Sequence, residues 1–384
     1  MNMSKVWIYL ACGMILAGGL AGAVFAAPNL EVVASNLDNP RGLAFGPDGA
    51  LYVAEAGKGG NGPCLKNADD EDTCLGTSGA VTRIYQGQQE RIAVDLPSMA
   101  PQGGGNAAGP HSIVITSQGA YCLVGLGSDP AARTDPQKLG NAGGQNLGQL
   151  VFLSSNGSPQ NWCDIAQYEA ANNPESTKLD SNPYAVIAVA DGFVVADAGG
   201  NSLLHVDTNG TITTLATFAP RLVDAPPFLG MPEGTKIPME SVPTCVIQGT
   251  DGAFYVGELT GFPFEKGAAR VWRVVPGEQP QVFAEGFTNI IGLAVAEDGG
   301  FYVLEIAKNS LLSNVPGGAL IHLKKYGLRV TVAEEGLIMP TAVTIGPDKA
   351  LYISNFGAMA GQGQVVRIDP SQSGAKPSLW ANLK

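Results

Sequence analysis

The stretch NPRGLAFGPDGALYVAEAG, residues 39–57, decides the fold. It opens on a corner at Pro40, runs through a short apolar segment, turns at Pro47-Asp48-Gly49 and closes a second apolar segment on Glu55. Two short apolar runs separated by Pro-Asp-Gly read as antiparallel strands joined by a tight turn. The phrase then returns in degenerate form. It appears as GPHSIVITSQGAYCLVGLG from 109, NPYAVIAVADGFVVADAGG from 182 and VPTCVIQGTDGAFYVGELTG from 242. It appears again as NIIGLAVAEDGGFYVLEIA from 289 and MPTAVTIGPDKALYISNFG from 339. The corner falls at Pro40, Pro110, Pro183, Pro243, Ile290 and Pro340, a period of roughly 50–70 residues, which is the range of a repeat architecture.

Each unit carries two further strand signals. A third, flanked by glycine or polar turn residues, reads GAVTRIYQG, GQLVFLSSNG, NSLLHVDTNG, ARVWRVVPG, GALIHLKKYG and GQVVRIDPS. A fourth reads ERIAVDL, QNWCDI, TITTLATF, PQVFAEGF, RVTVAEEGL and KPSLWANL. Six units of four antiparallel strands predict an all-β, six-bladed β-propeller spanning residues 28–384 as one domain. LEVVASNL (30–37) is a further fourth-strand candidate. Either it or the C-terminal KPSLWANL pairs in the last blade and closes the ring, which removes exposed strand edges. The N-terminal segment is the favoured one. Helical periodicity is confined to about a turn around DIAQYEAANN.

Composition agrees. The 384 residues include 51 Gly and 26 Pro, and only 15% are charged, which suits many strands and turns better than long surface helices. Residues 1–27 have the form of a secretory signal peptide: Lys5, an apolar stretch from Val6 to Phe25, and the small-residue exit AVFAAP. The alternative, a membrane anchor, is disfavoured by that exit and by the absence of a basic flank. The chain is therefore expected to be secreted or periplasmic, free of the membrane after cleavage, and monomeric. A net charge of −12 argues against nucleic acid or anionic lipid as partners. Of six cysteines, Cys12 lies in the leader. Cys64 and Cys74 flank a polar loop and are expected to form a disulfide, as oxidising compartments permit. Cys122 and Cys245 sit in strand patterns and are expected to be buried, and Cys163 reads either way.

Long excursions interrupt the scaffold at 64–74, 127–146, 220–241 and 261–269. Those between second and third strands and those preceding a first strand emerge at one end of a meandering blade. They build up one face, where binding residues concentrate. The second strands end on Glu55, Gly125, Asp197, Glu258, Glu305 and Asn355. The first strands begin with Arg41, His111, Tyr184, Thr244, Ile291 and Thr341. Both sets are expected to rim the channel. Repetition of a carboxylate across blades suits an architectural acceptor of backbone N–H groups as well as a binding ring, and both readings stand. His111, Arg41 and Tyr184 break the repeat and are the candidate catalytic set: His111 a general base, Arg41 an orienter of an anionic group. Glu55, Asp197, Glu258, Glu305 and Asn355, with the aromatic pair Phe262 and Phe264, are the candidate binding residues. NADDED (67–72) and the channel centre are the candidate sites for Ca2+ or another divalent ion. No HExxH, paired CxxC or GxSxG motif is present.

NPRGLAFGPDGALYVAEAG, SNPYAV, DAGGNSLL and VGELTGFPF…GAARVWRV together resemble the ScyD/ScyE family over essentially the whole mature chain. That resemblance implies an exported propeller built of NHL-like repeats and supplies no catalytic residues to carry over. A wider likeness is to gluconolactonase-type and strictosidine-synthase-like propellers. It implies a channel metal held by Glu, Asn and Asp at inner-strand starts. Here Asn39, Asn182 and Asn289 offer amides, but the matching carboxylates are lacking. The opening phrase is also similar to one in PQQ-dependent sugar dehydrogenases, which implies a channel histidine as base, and His111 is the candidate. Two functions follow from these readings: a binding scaffold for a small molecule, glycan or protein on the loop-rich channel face, or a channel-centred enzyme using His111.

Overall fold

The computed structural model describes residues 30–67, 70–155, 157–176, 178–315, 317–371 and 376–377. The leader expected at 1–27 lies outside them. The described residues form a six-bladed propeller of four-stranded antiparallel sheets. Blade 1 is Pro40–Phe45, Leu51–Glu55, Asp72–Tyr85 and Gln88–Pro101. Blade 2 is Pro110–Thr116, Gly119–Val124, Gln149–Leu153 and Pro159–Asp164. Blade 3 is Pro183–Val189, Gly192–Asp197, Ser202–Asp207 and Ile212–Thr217. Blade 4 is Pro243–Gln248, Phe254–Glu258, Ala269–Val274 and Gln281–Phe287. Blade 5 is Ile290–Val295, Phe301–Glu305, Ala319–Leu323 and Arg329–Ala333.

Blade 6 takes Ala342–Ile345, Leu351–Asn355 and Gly363–Ile368 from the C-terminal end of the chain, and its outer strand, Glu31–Leu37, from the N-terminal end. The N-terminal segment therefore closes the ring. Of the rival segment, Lys376–Pro377 pairs instead with the outer edge of blade 5. Residues 378–384 lie outside the described residues. Closure makes the last blade as continuous as the others and leaves no inner edge unpaired.

The second strand of each blade is almost wholly buried, because it faces a neighbouring blade on both sides. Val53, Ala54, Val194, Val195, Ala196, Val256, Val303, Leu304 and Ile353 are all fully inaccessible. Such strands are selected as continuous apolar runs rather than alternating ones. The fourth strands are the most exposed of each blade, with runs of solvent-facing residues.

The insertions differ from plain loops. Cys64 and Cys74 form the expected disulfide. The segment Cys64–Lys66 pairs with the start of the third strand of blade 1, which extends that strand and its hairpin partner to 14 residues each. The stretch 127–146 is held by Arg133, which is 2% exposed and reaches Asp164 at 2.8 and 3.0 Å. The stretch 220–241 forms a small lobe, the hairpin Arg221–Asp224 with Lys236–Met239, over its own apolar cluster of Val223, Ile237 and Met239. The short helical signal becomes Ile165–Asn172, capped by the Asp164 side chain on the Gln167 N–H and ended by Asn173 at φ 38°. Cys122, Cys163 and Cys245 are all buried free thiols, each pushed up to about 12 by desolvation.

Candidate functional site

The repeat has a structural cause that begins with the carboxylates. In blades 1, 3, 4 and 5 the residue ending the second strand pairs with the residue opening the first: Glu55 with Pro40, Asp197 with Pro183, Glu258 with Pro243, and Glu305 with Ile290. Its side chain turns back on the segment entering that first strand. Glu55 accepts from the Asp38 N–H at 2.7 Å, Asp197 from the Asn182 N–H at 2.6 Å, and Glu305 from the Thr288 N–H at 2.7 Å. Asn355 accepts from the Ile338 N–H at 2.8 Å, and Glu258 accepts from the Ser241 hydroxyl at 2.6 Å. A buried backbone N–H at a corner must find an acceptor; the strand-end side chain supplies it in blades 1, 3, 5 and 6, and in blade 4 Asn201 Oδ1 accepts from the Val242 N–H instead.

Further donors fill the remaining lone pairs. Arg91 reaches Glu55 through Nε at 3.0 Å and Nη2 at 2.7 Å. Arg221, Arg270 and the Trp272 indole converge on Glu258 at 2.8 to 3.0 Å. Asp197 takes the Ser181 hydroxyl and the N–H groups of Gly199 and Gly200, and burial still raises its pKa. Glu305 has the Thr288 N–H alone among these donors, and burial pushes it up to about 7. These carboxylates stand one strand outside the channel wall. The expectation that they rim it is not met, because the pairing turns them back onto the corners.

The channel itself is lined by the first strands of all six blades and encloses about 190 Å³. Its walls present polar and apolar surface in about equal measure, because side chains such as Val186, Val246 and Leu293 pack into the cores between blades. The first-strand starts are sealed: Arg41, His111, Tyr184, Thr244, Ile291 and Thr341 are all at most 5% exposed. Further along, Phe45, Ile115, Ile187, Ile247 and Ile345 are only half-buried. The channel is thus closed beneath the insertions and widens toward the opposite face.

The three residues that break the repeat do come together. The His111 and Tyr184 rings lie 4.8 Å apart between centroids, and Arg41 stands against both. His111 Nδ1 is 3.1 Å from the Pro183 carbonyl. Desolvation, aided by the Arg41 charge, pushes its pKa down to about 3. It is therefore a neutral imidazole at any ordinary pH. Blade 2 departs from the carboxylate pattern for a steric reason. At Gly125 a Cβ would lie 2.2 Å from His111 Cε1 and 2.3 Å from Nδ1. The glycine at the strand end and the histidine at the strand start are one exception, and the sequence shows both halves of it.

Phe264 is 4% exposed and packs into the cluster holding Tyr184 and Ile291, so it helps to seal the channel. Phe262 is half-buried against the 220–241 lobe, 6.2 Å from the Phe228 ring, which is 68% exposed. Leu222, 69% exposed, stands on the side of the hairpin away from Val223, so the lobe carries a second exposed apolar side chain that the sequence reading did not single out. Its signal was present in LVDAPPFLGM, where apolar residues interrupt a polar, proline-rich loop.

The named donors do not fit a channel metal. Among the described residues no three His, Cys, Asp or Glu side chains gather closely enough to hold an ion. Asn182 Oδ1 accepts from the Leu126 N–H at 3.2 Å, and the Asn289 amide donates to the Leu259 carbonyl at 2.7 Å, so both join adjacent blades. Asn39 donates to the Gly57 and Gly104 carbonyls. In the 67–72 loop, residues 68–69 lie outside the described ones, and Asn67 accepts from the Glu71 N–H in a tight turn.

No family model matches the chain, and no curated protein matches it. Solved structures do. Virginiamycin B lyase from Staphylococcus aureus is 13% identical, with 91% of this chain and 89% of that chain covered at a TM-score of 0.46. A putative gluconolactonase is 11% identical, with 90% and 93% covered at 0.47. A luciferin-regenerating enzyme is 10% identical, with 92% and 98% covered at 0.49. Identities this low carry no activity across.

Proposed function

We propose that this chain is an exported propeller of the ScyD/ScyE type that acts as a binding scaffold, presenting its insertion-built face to a small molecule, glycan or protein. The observation that carries the reading is the burial of His111, Arg41 and Tyr184. A general base must reach the proton it removes and must hold a pKa near the working pH. His111 is sealed from the loop face and neutral. The carboxylates that would assist it are engaged by corner N–H groups, hydroxyls and arginines. What the 220–241 lobe offers instead is the exposed Phe228 ring against Phe262, with Leu222 exposed on the same hairpin, on a rigid scaffold, an arrangement suited to binding. Export is consistent with the Cys64–Cys74 disulfide, and among the described residues no helix is long and apolar enough to cross a membrane.

The test compares the secreted protein with Leu222→Ser/Phe228→Ser on a glycan array and in a metabolite thermal-shift screen. Saturable binding that disappears in the variant, with the melting temperature unchanged, is the expected result. Turnover of a lactone or oxidation of a sugar by the wild type, abolished in His111→Gln, would establish the enzymatic reading instead.

A further inference from the structure

Arg41 is a buried cation with no buried anion. It is 3% exposed; Nη2 donates to the Ala107 carbonyl at 2.9 Å, and Nε has no partner. Arg133, the comparably buried arginine, grips Asp164 with two hydrogen bonds and also donates to the Leu147 carbonyl. Among the described residues no carboxylate does this for Arg41. A buried charge without a counter-charge is heavily penalised. A carboxylate in that position can take up a proton: Glu169, with a buried unpartnered oxygen, is pushed up to about 8 by desolvation. A guanidinium has no such escape, because it does not deprotonate in proteins.

The groups around Arg41 supply no negative charge. His111 is neutral, and the buried Tyr184 hydroxyl, which makes no well-formed hydrogen bond, lies against Arg41. Thr244 and Thr341 donate their hydroxyls to the Ile290 and Pro40 carbonyls. The neighbouring Cys245 is a protonated thiol. Tyr184 and His111 line the closed end of the channel, and so does Gly42, next to Arg41 in the chain. An electropositive, hydrogen-bonding end thus opens onto about 190 Å³ walled by the first strands of the six blades. An engineered apolar cavity of about 150 Å³ holds benzene, so the space suits a small organic molecule.

We propose that the closed end of the channel binds the head of a small organic monocarboxylate, entering from the face opposite the insertions. The Tyr184 hydroxyl donates to the carboxylate, and the Arg41 charge stands behind it. One guanidinium matches one negative charge. The channel volume suits an organic anion better than a bare halide. The site lies apart from Leu222 and Phe228, and the two readings fail separately.

The experiment is isothermal titration of the full mature chain with sodium benzoate and sodium hexanoate, against benzyl alcohol and sodium chloride. The expected result is one saturable carboxylate site, with benzyl alcohol at least about 10-fold weaker. Arg41→Met and Tyr184→Phe should each lose about 10- to 100-fold in affinity, the range of a hydrogen bond to a charged group. Leu222→Ser/Phe228→Ser should bind benzoate unchanged. The proposal is overturned if neither carboxylate saturates, if benzyl alcohol matches benzoate, or if chloride alone titrates the site. Should Arg41→Met fail to fold, Tyr184→Phe and the alcohol comparison on the wild type decide the question.

Discussion

Blades 1 and 5 end their second strands on the same residue type and treat it differently. Glu55 receives the Asp38 N–H, the Thr82 hydroxyl and two nitrogens of Arg91. Glu305 receives the Thr288 N–H, and Arg329 acts on it through its charge. Arg329 donates to the Glu285 and Gly286 carbonyls and lies 3.9 Å over the Phe287 ring. One position in the repeat is therefore clamped by a guanidinium in blade 1 and is a carboxyl titrating near neutrality in blade 5. Position in the repeat fixes the bond to the corner N–H in both blades, and the outer strands decide what else the carboxyl meets.

The largest expected effect comes from making blade 1 resemble blade 5. Arg91→Met leaves Glu55 fully buried with its counter-charge removed. Breaking a buried pair in this way is costly, but Arg91 is 41% exposed in its side chain, so the loss is discounted to about 2–3 kcal/mol at pH 8. Urea denaturation at that pH checks it. A loss below about 1 kcal/mol would mean that the Asp38 and Thr82 donors suffice.

Next is the pH dependence set by Glu305. Its folded pKa, about 7, lies above its ordinary value of 4.5, so the folded state holds the proton more tightly. Stability then falls as pH rises through the window from about 4.5 to 7, and the cost is fully present above it. Glu305→Gln removes that cost. The variant should gain about 1–2 kcal/mol over the wild type at pH 8 and nothing near pH 4.5. Glu169 and Asp180, both pushed up by burial, add slopes of the same sign. His111 opposes them: its folded pKa, about 3, lies below the ordinary 6.5, so its contribution is present above 6.5 and lost as pH falls toward 3. Melting temperatures of both proteins from pH 4 to 8 separate these contributions. Parallel curves would break the contrast between the blades.

The smallest effect belongs to the turn face. Asp48, Asp251 and Asp348 in the tight turns clasp Arg83, Arg273 and Arg367 at 2.7 to 2.8 Å, and Asp298 meets His322 at 3.1 Å. These are half-exposed pairs, worth about 0.2–1 kcal/mol. Arg273→Met should cost less than about 1 kcal/mol, and 1 M salt should halve the difference. A cost comparable to that of Arg91→Met would mean that exposure does not distinguish the two kinds of clamp.

The propeller was legible because it repeats. A corner, two apolar runs and a Pro-Asp-Gly turn identify a blade wherever they recur, and six recurrences count the blades. The Cys64–Cys74 bond was legible for a similar reason, since both cysteines flank one short polar loop. The ends of the ring were harder to read, because LEVVASNL and KPSLWANL carry nearly the same pattern. Only the alignment of Glu31–Leu37 with Gly363–Ile368 separates them. The carboxylates were visible as a ring, but their direction was not. A strand-end side chain can point inward or back onto its own corner, and the unpaired corner N–H chooses the second.

The chain by itself determined the number of blades, the strand order within each and the face on which the insertions gather, because local pattern and repetition fix those. The exception at Gly125 and His111 was also written there as two separate irregularities. Folding alone decided that they are one, by bringing a strand end against a strand start. It also decided that the polar starts of the first strands are closed over by Phe264 and the loop carrying Ala107. Burial there is a product of packing between blades distant in sequence, and with it came the neutral His111, the unpaired Arg41 and the channel's opening on the other face.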